Sequence, residues 1–149
     1  MCRFMYVLAA GAAVLGLVTG CGNSDGETET EADRIGVGAE CTVDPDPDAD
    51  PPSTCPVVEM ENQLDCLTQF TGGYCGLEGC KGDVDCPEGS ACVTNDDTNN
   101  YCYRLCRNKE DCNLNRSVDN EANCVGSGTI NFVEGGTERK ACEPPSSGS

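Results

Sequence analysis

Cysteine content constrains the fold of this chain more than any other feature of its sequence. The 149 residues include 14 cysteines, no histidine and no tryptophan. Only 18 of the 128 residues that follow Cys21 are Leu, Ile, Val or Phe, and the whole chain carries a net charge of −17. A chain so poor in large apolar residues and so highly charged does not fold by burial alone. The twelve cysteines from Cys41 to Cys142 therefore predict six disulfides formed in an oxidising compartment.

The first 21 residues have the layout of an export signal. Arg3 precedes an apolar stretch that ends at Val18. This stretch has about 15 residues, fewer than the roughly 20 that span a bilayer as a helix. Val18-Thr19-Gly20-Cys21 resembles the bacterial lipobox, in which the cysteine is acylated and the peptide is cut just before it.

The lipobox resemblance implies a location in the cell. Residues 1–20 would be a signal peptide, and Cys21 would carry a covalent lipid such as palmitate. Two or three acyl chains anchor a protein stably where one does not. Gly22 favours the outer membrane over the inner one. An uncleaved anchor, or a plain signal peptide followed by an ordinary cysteine, is the alternative.

Composition divides the rest of the chain. Residues 21–38 are polar and acidic and are expected to form a lipidated, disordered tether. Three cysteine modules are expected over residues 39–79, 80–105 and 106–143. Residues 144–149 are expected to form a disordered tail. We call these the first, second and third modules.

A repeat in the cysteine spacing defines the modules. Their cysteines are Cys41, Cys55, Cys66 and Cys75; Cys80, Cys86, Cys92 and Cys102; and Cys106, Cys112, Cys124 and Cys142. Each module is expected to contain a short β-hairpin, with its third cysteine on the outgoing strand and its fourth on the returning one. Four cysteines pair in three ways, so three closed modules leave roughly 27 connectivities open. The predicted fold class is small and disulfide-rich, with tandem hairpin modules and little helix.

One stretch carries a resemblance to known families. Cys80-Lys-Gly-Asp-Val-Asp-Cys86-Pro-Glu-Gly-Ser-Ala-Cys92, preceded by Gly72-Gly73-Tyr74-Cys75, resembles the repeat of cysteine-rich surface lipoproteins in Gram-negative bacteria. Similar spacing occurs in the Dickkopf N-terminal cysteine-rich region and in the whey acidic protein four-disulfide core. The latter resemblance implies pairing of first with third and second with fourth cysteines. The implied pairs are Cys41–Cys66, Cys55–Cys75, Cys80–Cys92, Cys86–Cys102, Cys106–Cys124 and Cys112–Cys142.

Missing residue types exclude most catalytic and metal sites. Without histidine there is no Ser-His-Asp triad and no Cys-His pair. The chain has no Cys-x-x-Cys, the usual spacing of structural zinc sites. The strong negative charge repels nucleic acid. We therefore expect a protein that is not an enzyme, has no cofactor other than its lipid, and binds no nucleic acid.

Two acidic loops offer oxygen ligands for calcium. The first loop carries four alternating aspartates, Asp44, Asp46, Asp48 and Asp50. The second runs from Asn95 to Asn100. The first loop does not match an EF-hand, because Ala49 and Cys55 stand where that loop needs glycine and glutamate. A solvated acidic loop is the alternative.

Aromatic residues are the expected anchors of a partner-binding surface, since aromatics dominate binding hot spots. The candidates are Phe70, Tyr74, Tyr101, Tyr103 and Phe132. Packing over the disulfides is the alternative for all five. The predicted function is that of a membrane-anchored envelope protein, a structural, adhesive or partner-binding module whose partner is an envelope or extracellular protein. The alternative function is protease inhibition of the whey acidic protein type through the Cys92–Cys102 loop.

Overall fold

The computed structural model describes residues 29–46, 48, 53–56 and 63–147. Within these residues the α-helices are α1 (Glu31–Ile35) and α2 (Lys109–Cys112), and 3-10 helices cover Asp83–Asp85 and Val118–Asn120. The strands are β1 (Asp65–Cys66), β2 (Cys75–Gly76), β3 (Ser90–Thr94), β4 (Asn100–Arg104), β5 (Asn123–Gly126), β6 (Asn131–Phe132) and β7 (Lys140–Glu143). The prediction of a small disulfide-rich fold with little helix is confirmed.

The strands pair as antiparallel hairpins. β1 pairs with β2, β5 pairs with β7, and β3 lies between β4 and β6. Each module hairpin places its third and fourth cysteines directly opposite each other. These opposed pairs are Cys66 and Cys75, Cys92 and Cys102, and Cys124 and Cys142. The three predicted hairpins are therefore present, including the one in the third module.

Each disulfide joins two cysteines of the same module. The opposed hairpin cysteines do not bond to each other, because each reaches back to a cysteine in the preceding turns. The bonds are Cys41–Cys66, Cys55–Cys75, Cys80–Cys92, Cys86–Cys102, Cys106–Cys124 and Cys112–Cys142. They are the pairs that the resemblance to the whey acidic protein core implies.

An aspartate before the second cysteine closes the turn ahead of two of the hairpins. Oδ2 of Asp85 accepts the backbone N–H of Lys81 at 2.8 Å. In the third module, Oδ2 of Asp111 accepts the backbone N–H of Arg107 at the same distance of 2.8 Å. Aspartate commonly stabilises turns by such local bonds to the backbone. The repeated Asp-Cys dipeptide therefore marks the same turn in the second and third modules.

The residue before the fourth cysteine of each module faces a core shared by all three. These residues are Tyr74, Tyr101 and Ala141, and each is at most 1% exposed. Successive side chains of a strand point to opposite faces. In the second and third modules the fourth cysteine, Cys102 or Cys142, therefore lies in a small cluster within its own module, while the residue before it packs in the shared core.

An aromatic cluster lies in this shared core, so four of the five aromatic candidates are packed inside the fold, in line with the packing alternative, and do not form a binding surface. Phe70 lies edge-on to Tyr101 and to Tyr103, with ring centroids 5.3 and 6.0 Å apart. Tyr74 packs on the same cluster, 5.5 Å from Tyr103. All four rings are buried, and Phe132 is half-buried at the edge of the cluster. These four aromatic residues are the largest buried side chains of the core.

The segment from Thr30 to Gly38, which we call the N-terminal strap, corrects the expectation of a disordered tether through residue 38. Thr30 and Asp33 form a capping box that starts α1, and Gly36 ends the helix in the left-handed region at φ 81°. Its Ala32 and Ile35 are buried in the shared core. A helix of five residues is too short to show an apolar period, so the sequence pattern does not predict it.

Residues 144–147 are likewise not a free tail. The backbone N–H of Thr71 donates to Pro145 O at 2.8 Å, and that of Ser147 donates to Gln69 O at 3.0 Å. Phe70 and Ser146 form an antiparallel bridge between these bonds. These backbone bonds hold the segment beside Phe70, a member of the aromatic cluster.

The insertion in the third module crosses to the second. Its strand β6 pairs with β3, opposing Phe132 to Val93. Arg139 pairs with Asp83 at 2.5 Å and lies over the Phe132 ring at 5.1 Å. The modules therefore pack on one another around a shared core and do not fold as separate units.

Arg116 joins the strap, the first module and the third module through backbone carbonyls. Its Nη1 donates to Gly38 O at 3.1 Å and to Gly73 O at 2.9 Å. Its Nη2 donates to Thr71 O at 2.8 Å, and its Nε donates to Asn120 O at 2.7 Å. The side chain is a buried cation whose donors are shared among three parts of the chain.

Candidate functional site

The turn between β3 and β4, residues 95–99, is an exposed loop held in one conformation. The backbone N–H of Asn95 donates to Asn99 O at 2.9 Å, and that of Thr98 donates to Asn95 O at 2.9 Å. Thr98 has a φ of 69°, the only positive φ of a non-glycine residue in the described part of the chain. This conformation is unusual for a β-branched residue and persists only where surrounding bonds fix it.

Two core tyrosines provide those bonds from below. The hydroxyl of Tyr101 donates to Asp97 Oδ2 at 2.7 Å, and the hydroxyl of Tyr103 donates to Asn95 Oδ1 at 3.1 Å. Asp97 Oδ1 also accepts the backbone N–H of Asn99 at 3.0 Å. The rings of both tyrosines thus pack in the aromatic cluster, and their hydroxyls bond to side chains of the turn. These two bonds connect the exposed turn to the buried core.

Burial and charge set the protonation of these groups. Burial raises the pKa of the Tyr103 hydroxyl, and burial together with the neighbouring Asp97 raises the pKa of Tyr101. Both hydroxyls therefore remain donors at neutral pH. Burial acts to raise the pKa of Asp97, but hydrogen bonds from Tyr101 and the Asn99 backbone outweigh it, and the net pKa is lowered. Asp97 is therefore a carboxylate in the turn.

Further acidic groups surround the turn. Asp96, in the turn itself, is exposed, and its negative charge acts on the half-buried carboxyl group of Glu143 on β7. Burial, and then the charge of Asp96, raise the pKa of Glu143. This end of the molecule thus combines a rigid backbone with several carboxyl groups, an arrangement that complements a cationic surface.

The predicted calcium loop is open in its described part. Asp44, Asp46 and Asp48 are exposed, and Asp50 lies outside the described residues. Asp44 Oδ1 accepts the backbone N–H of Asp46 at 2.9 Å, and Asp46 Oδ1 accepts that of Asp48 at 3.0 Å. Among the described residues, the groups of three or more ligand atoms that converge consist of cysteine sulfurs alone. The second predicted loop, around Asn95, has its Asp97 carboxylate engaged by Tyr101.

A shallow cleft beside β6 was not apparent from the sequence. It has a volume of about 200 Å³ and is lined by Ile130, Phe132, Gly135 and Gly136, among others. Phe132 is the one predicted aromatic anchor that retains exposed surface. One face of its ring is covered by the Arg139 guanidinium. The cleft depends on the β6–β3 pairing, which cysteine spacing does not reveal.

The proposed inhibitory loop, Cys92–Cys102, is the β3–β4 hairpin itself. Its flanks are paired strands and its tip is the closed turn. Strand addition to a partner requires an extended segment with free backbone groups. The geometry of the turn therefore favours recognition through side chains at its tip.

Comparisons with known proteins identify no relative. No protein-family profile, curated protein or solved structure matches this chain. Cys21 lies outside the described residues. In the part of the chain that the structure describes, there is no helix long and apolar enough to cross a bilayer.

Proposed function

We propose that this protein is a lipid-anchored, non-catalytic envelope protein whose cross-linked domain presents the β3–β4 turn to a partner protein. One observation carries the proposal: the buried Tyr101 and Tyr103 donate their hydroxyls to side chains of an exposed turn. Ordering a loop before binding removes an entropic cost from association. A turn held by the core is therefore suited to recognition.

The partner should present a positively charged surface. The turn contains Asp96 and Asp97, and the whole chain has a net charge of −17. Charge complementarity raises association rates and rejects partners of like charge. An envelope or extracellular protein with a basic patch meets this requirement.

The lipid on Cys21 sets where the partner is found. The chain enters the folded domain at Thr30, nine residues after Cys21. Fully extended, nine residues reach about 30 Å. The partner therefore lies at or near the membrane surface that carries the anchor, and we propose the outer membrane.

Metabolic labelling with a radioactive fatty acid tests the anchor. The parent chain should incorporate label and partition with membranes, and Cys21→Ala should do neither. Cys2→Ala is the matched control and should label like the parent. Equal labelling of the Cys21→Ala chain would refute the lipid anchor.

Binding through the turn is tested with the oxidised domain, residues 29–147, as bait for envelope proteins. A partner that binds the turn should be lost when Asp96 and Asp97 are replaced by asparagine. The matched control replaces Asp119 and Glu121, which are exposed on the third module and away from the turn, by asparagine and glutamine. A partner retained by the Asp96→Asn/Asp97→Asn variant and released by the control variant would place the binding surface elsewhere.

A further inference from the structure

In each module the two disulfides lie side by side. Three sulfurs of each module lie within 4.8 Å of one another, namely those of Cys41, Cys55 and Cys66; Cys80, Cys86 and Cys102; and Cys106, Cys112 and Cys124. The fourth sulfur of each module is bonded to a member of its trio. Four sulfurs thus share one small volume in each of the three modules.

We propose that each module, when its two disulfides are reduced, binds one thiophilic divalent ion of the zinc class through its four cysteine thiolates. Zinc prefers tetrahedral coordination with metal–sulfur bonds near 2.3 Å, which places the sulfurs about 3.8 Å apart. In each trio two sulfurs are joined by a disulfide, and the third lies within 4.8 Å of both. Once an S–S bond is broken, the two sulfurs need to move apart by only about 1–2 Å, which side-chain rotation provides.

The backbone holds these cysteines together by bonds other than disulfides. In the second module the hairpin register places Cys92 opposite Cys102. The turn that carries Cys80 and Cys86 is closed by the Asp85 carboxylate, which accepts the Lys81 N–H. Hairpin and turn therefore fix two ligand pairs, and this arrangement is preorganised in a way that a flexible cysteine-rich peptide is not.

The modules should differ in affinity. In the second module, Asp83 Oδ1 accepts the Cys92 backbone N–H at 3.0 Å, which ties the turn to the hairpin. In the first module the opening pair, Cys41 and Cys55, is separated by 13 residues, against five in the other two. Longer loops cost more entropy to close. The first module should therefore have the lowest affinity for the metal ion and should bind it last in a titration.

The chemistry balances with a phosphine or dithiol reductant. Each disulfide takes two electrons and two protons and becomes two thiols. Metal binding to four thiols releases four protons and leaves a tetrathiolate complex of charge −2 with a divalent ion. A disulfide oxidant reverses the process: it accepts two electrons for each protein disulfide formed, becomes two thiols itself, and the ion is released.

The test is a titration of the full chain with Cd²⁺ after phosphine reduction, followed by thiolate-to-metal charge-transfer absorption. Cys2 and Cys21 are replaced by serine in every sample, so that only module cysteines count. The parent should bind three ions and lose them when oxidised glutathione is added. An endpoint other than three would overturn the proposal.

Two variants that keep eight cysteines each separate a modular site from general chelation. The C80S/C86S/C92S/C102S variant lacks the second module but leaves two modules whole, so it should bind two ions. The C80S/C92S/C106S/C124S variant leaves one module whole and two halves, so it should bind one ion. Equal endpoints would show that the chain pools its thiols without regard to the fold and would overturn the proposal. Because the readout is an ion count, it does not require the variants to match the parent in stability.

Discussion

The guanidinium of Arg116 lies over the ring of Tyr74, with its Cζ 5.9 Å from the ring centroid. Tyr74 is fully buried, and burial raises its pKa to about 12. A cation that binds four carbonyls and also lies over a core ring connects the backbone scaffold to the aromatic cluster. Arg116 thus adds hydrogen bonds between modules to the apolar contacts that the modules share in the core.

Replacing Arg116 should therefore destabilise the whole domain. Arg116→Ala leaves four carbonyl oxygens without these donors, and we expect the free energy of unfolding to fall by about 2–4 kcal/mol. Arg116→Lys keeps the charge but loses the planar fork of donors, so it should recover only part of the loss. Denaturant unfolding of the oxidised protein measures both. Lys140→Ala, an exposed cation on β7, is the control and should stay within about 0.5 kcal/mol of the parent.

The N-terminal strap should detach when its cap is removed. Asp33 accepts the Thr30 backbone N–H at 3.0 Å and pairs with Arg104 at 2.5 Å. Asp33→Ala removes the capping box and a partly exposed ion pair, and we expect a loss of about 1–2 kcal/mol. Hydrogen exchange of the Gly36 amide, which bonds to Ala32 O, should accelerate more than that of core strand amides. Uniform acceleration across the domain would mean that the strap does not open on its own.

Stability should depend on pH through Glu40. The Asn120 side-chain amide donates to Glu40 Oε1, and Ser117 donates its backbone N–H and its hydroxyl to the same carboxylate. The Asn120 hydrogen bond is the largest influence on the pKa of Glu40, which lies below its ordinary value of 4.5 although burial opposes the shift. A lowered folded pKa stabilises the fold above pH 4.5, and this contribution disappears as pH falls through the folded pKa.

Glu40→Gln should therefore be less stable than the parent at neutral pH, and the difference should shrink below pH 4.5. Thermal unfolding across that range measures the effect. Glu78→Gln, which changes an exposed carboxyl elsewhere in the first module, is the control. A gap between parent and Glu40→Gln that stays constant with pH would contradict the role of the Glu40 charge.

Removing one tyrosine hydroxyl should loosen the β3–β4 turn. Tyr103→Phe deletes the bond to Asn95, at a cost of about 1 kcal/mol. We expect faster hydrogen exchange at Thr98, whose N–H closes the turn onto Asn95 O. Tyr74→Phe makes the same chemical change away from the turn, where the hydroxyl accepts the Arg104 backbone N–H at 3.0 Å. If both variants accelerated Thr98 equally, the hydroxyl under the turn would not be what holds it.

Cysteine spacing predicts the local parts of this fold because it is local information. The opposed cysteines of each hairpin, such as Cys92 and Cys102, lie within one short stretch of sequence and flank recognisable turn residues. The pairing with the preceding turn cysteines follows from a resemblance and not from the spacing itself. The sequence thus predicts the hairpin inside each module, because the residues that form it are close together in the chain.

The contacts between modules cannot be predicted from these local patterns. The position of Arg116 in the sequence gives no sign that its four carbonyl partners come from residues as far apart as Gly38 and Asn120. The pairing of β6 with β3 involves two-residue matches that have no pattern to detect. The tyrosines of the site are visible in the sequence, but it is the fold that turns their rings inward and their hydroxyls toward the turn.

Because all six disulfides lie within modules, covalent cross-links never join one module to the next. Cohesion between modules rests on the aromatic cluster, on β6 and on Arg116. A protein anchored at one end and pulled at the other would lengthen first where these contacts part, while each module kept its internal loops short. Tension should therefore part the contacts between modules before it extends any one module beyond the limit that its two disulfides set.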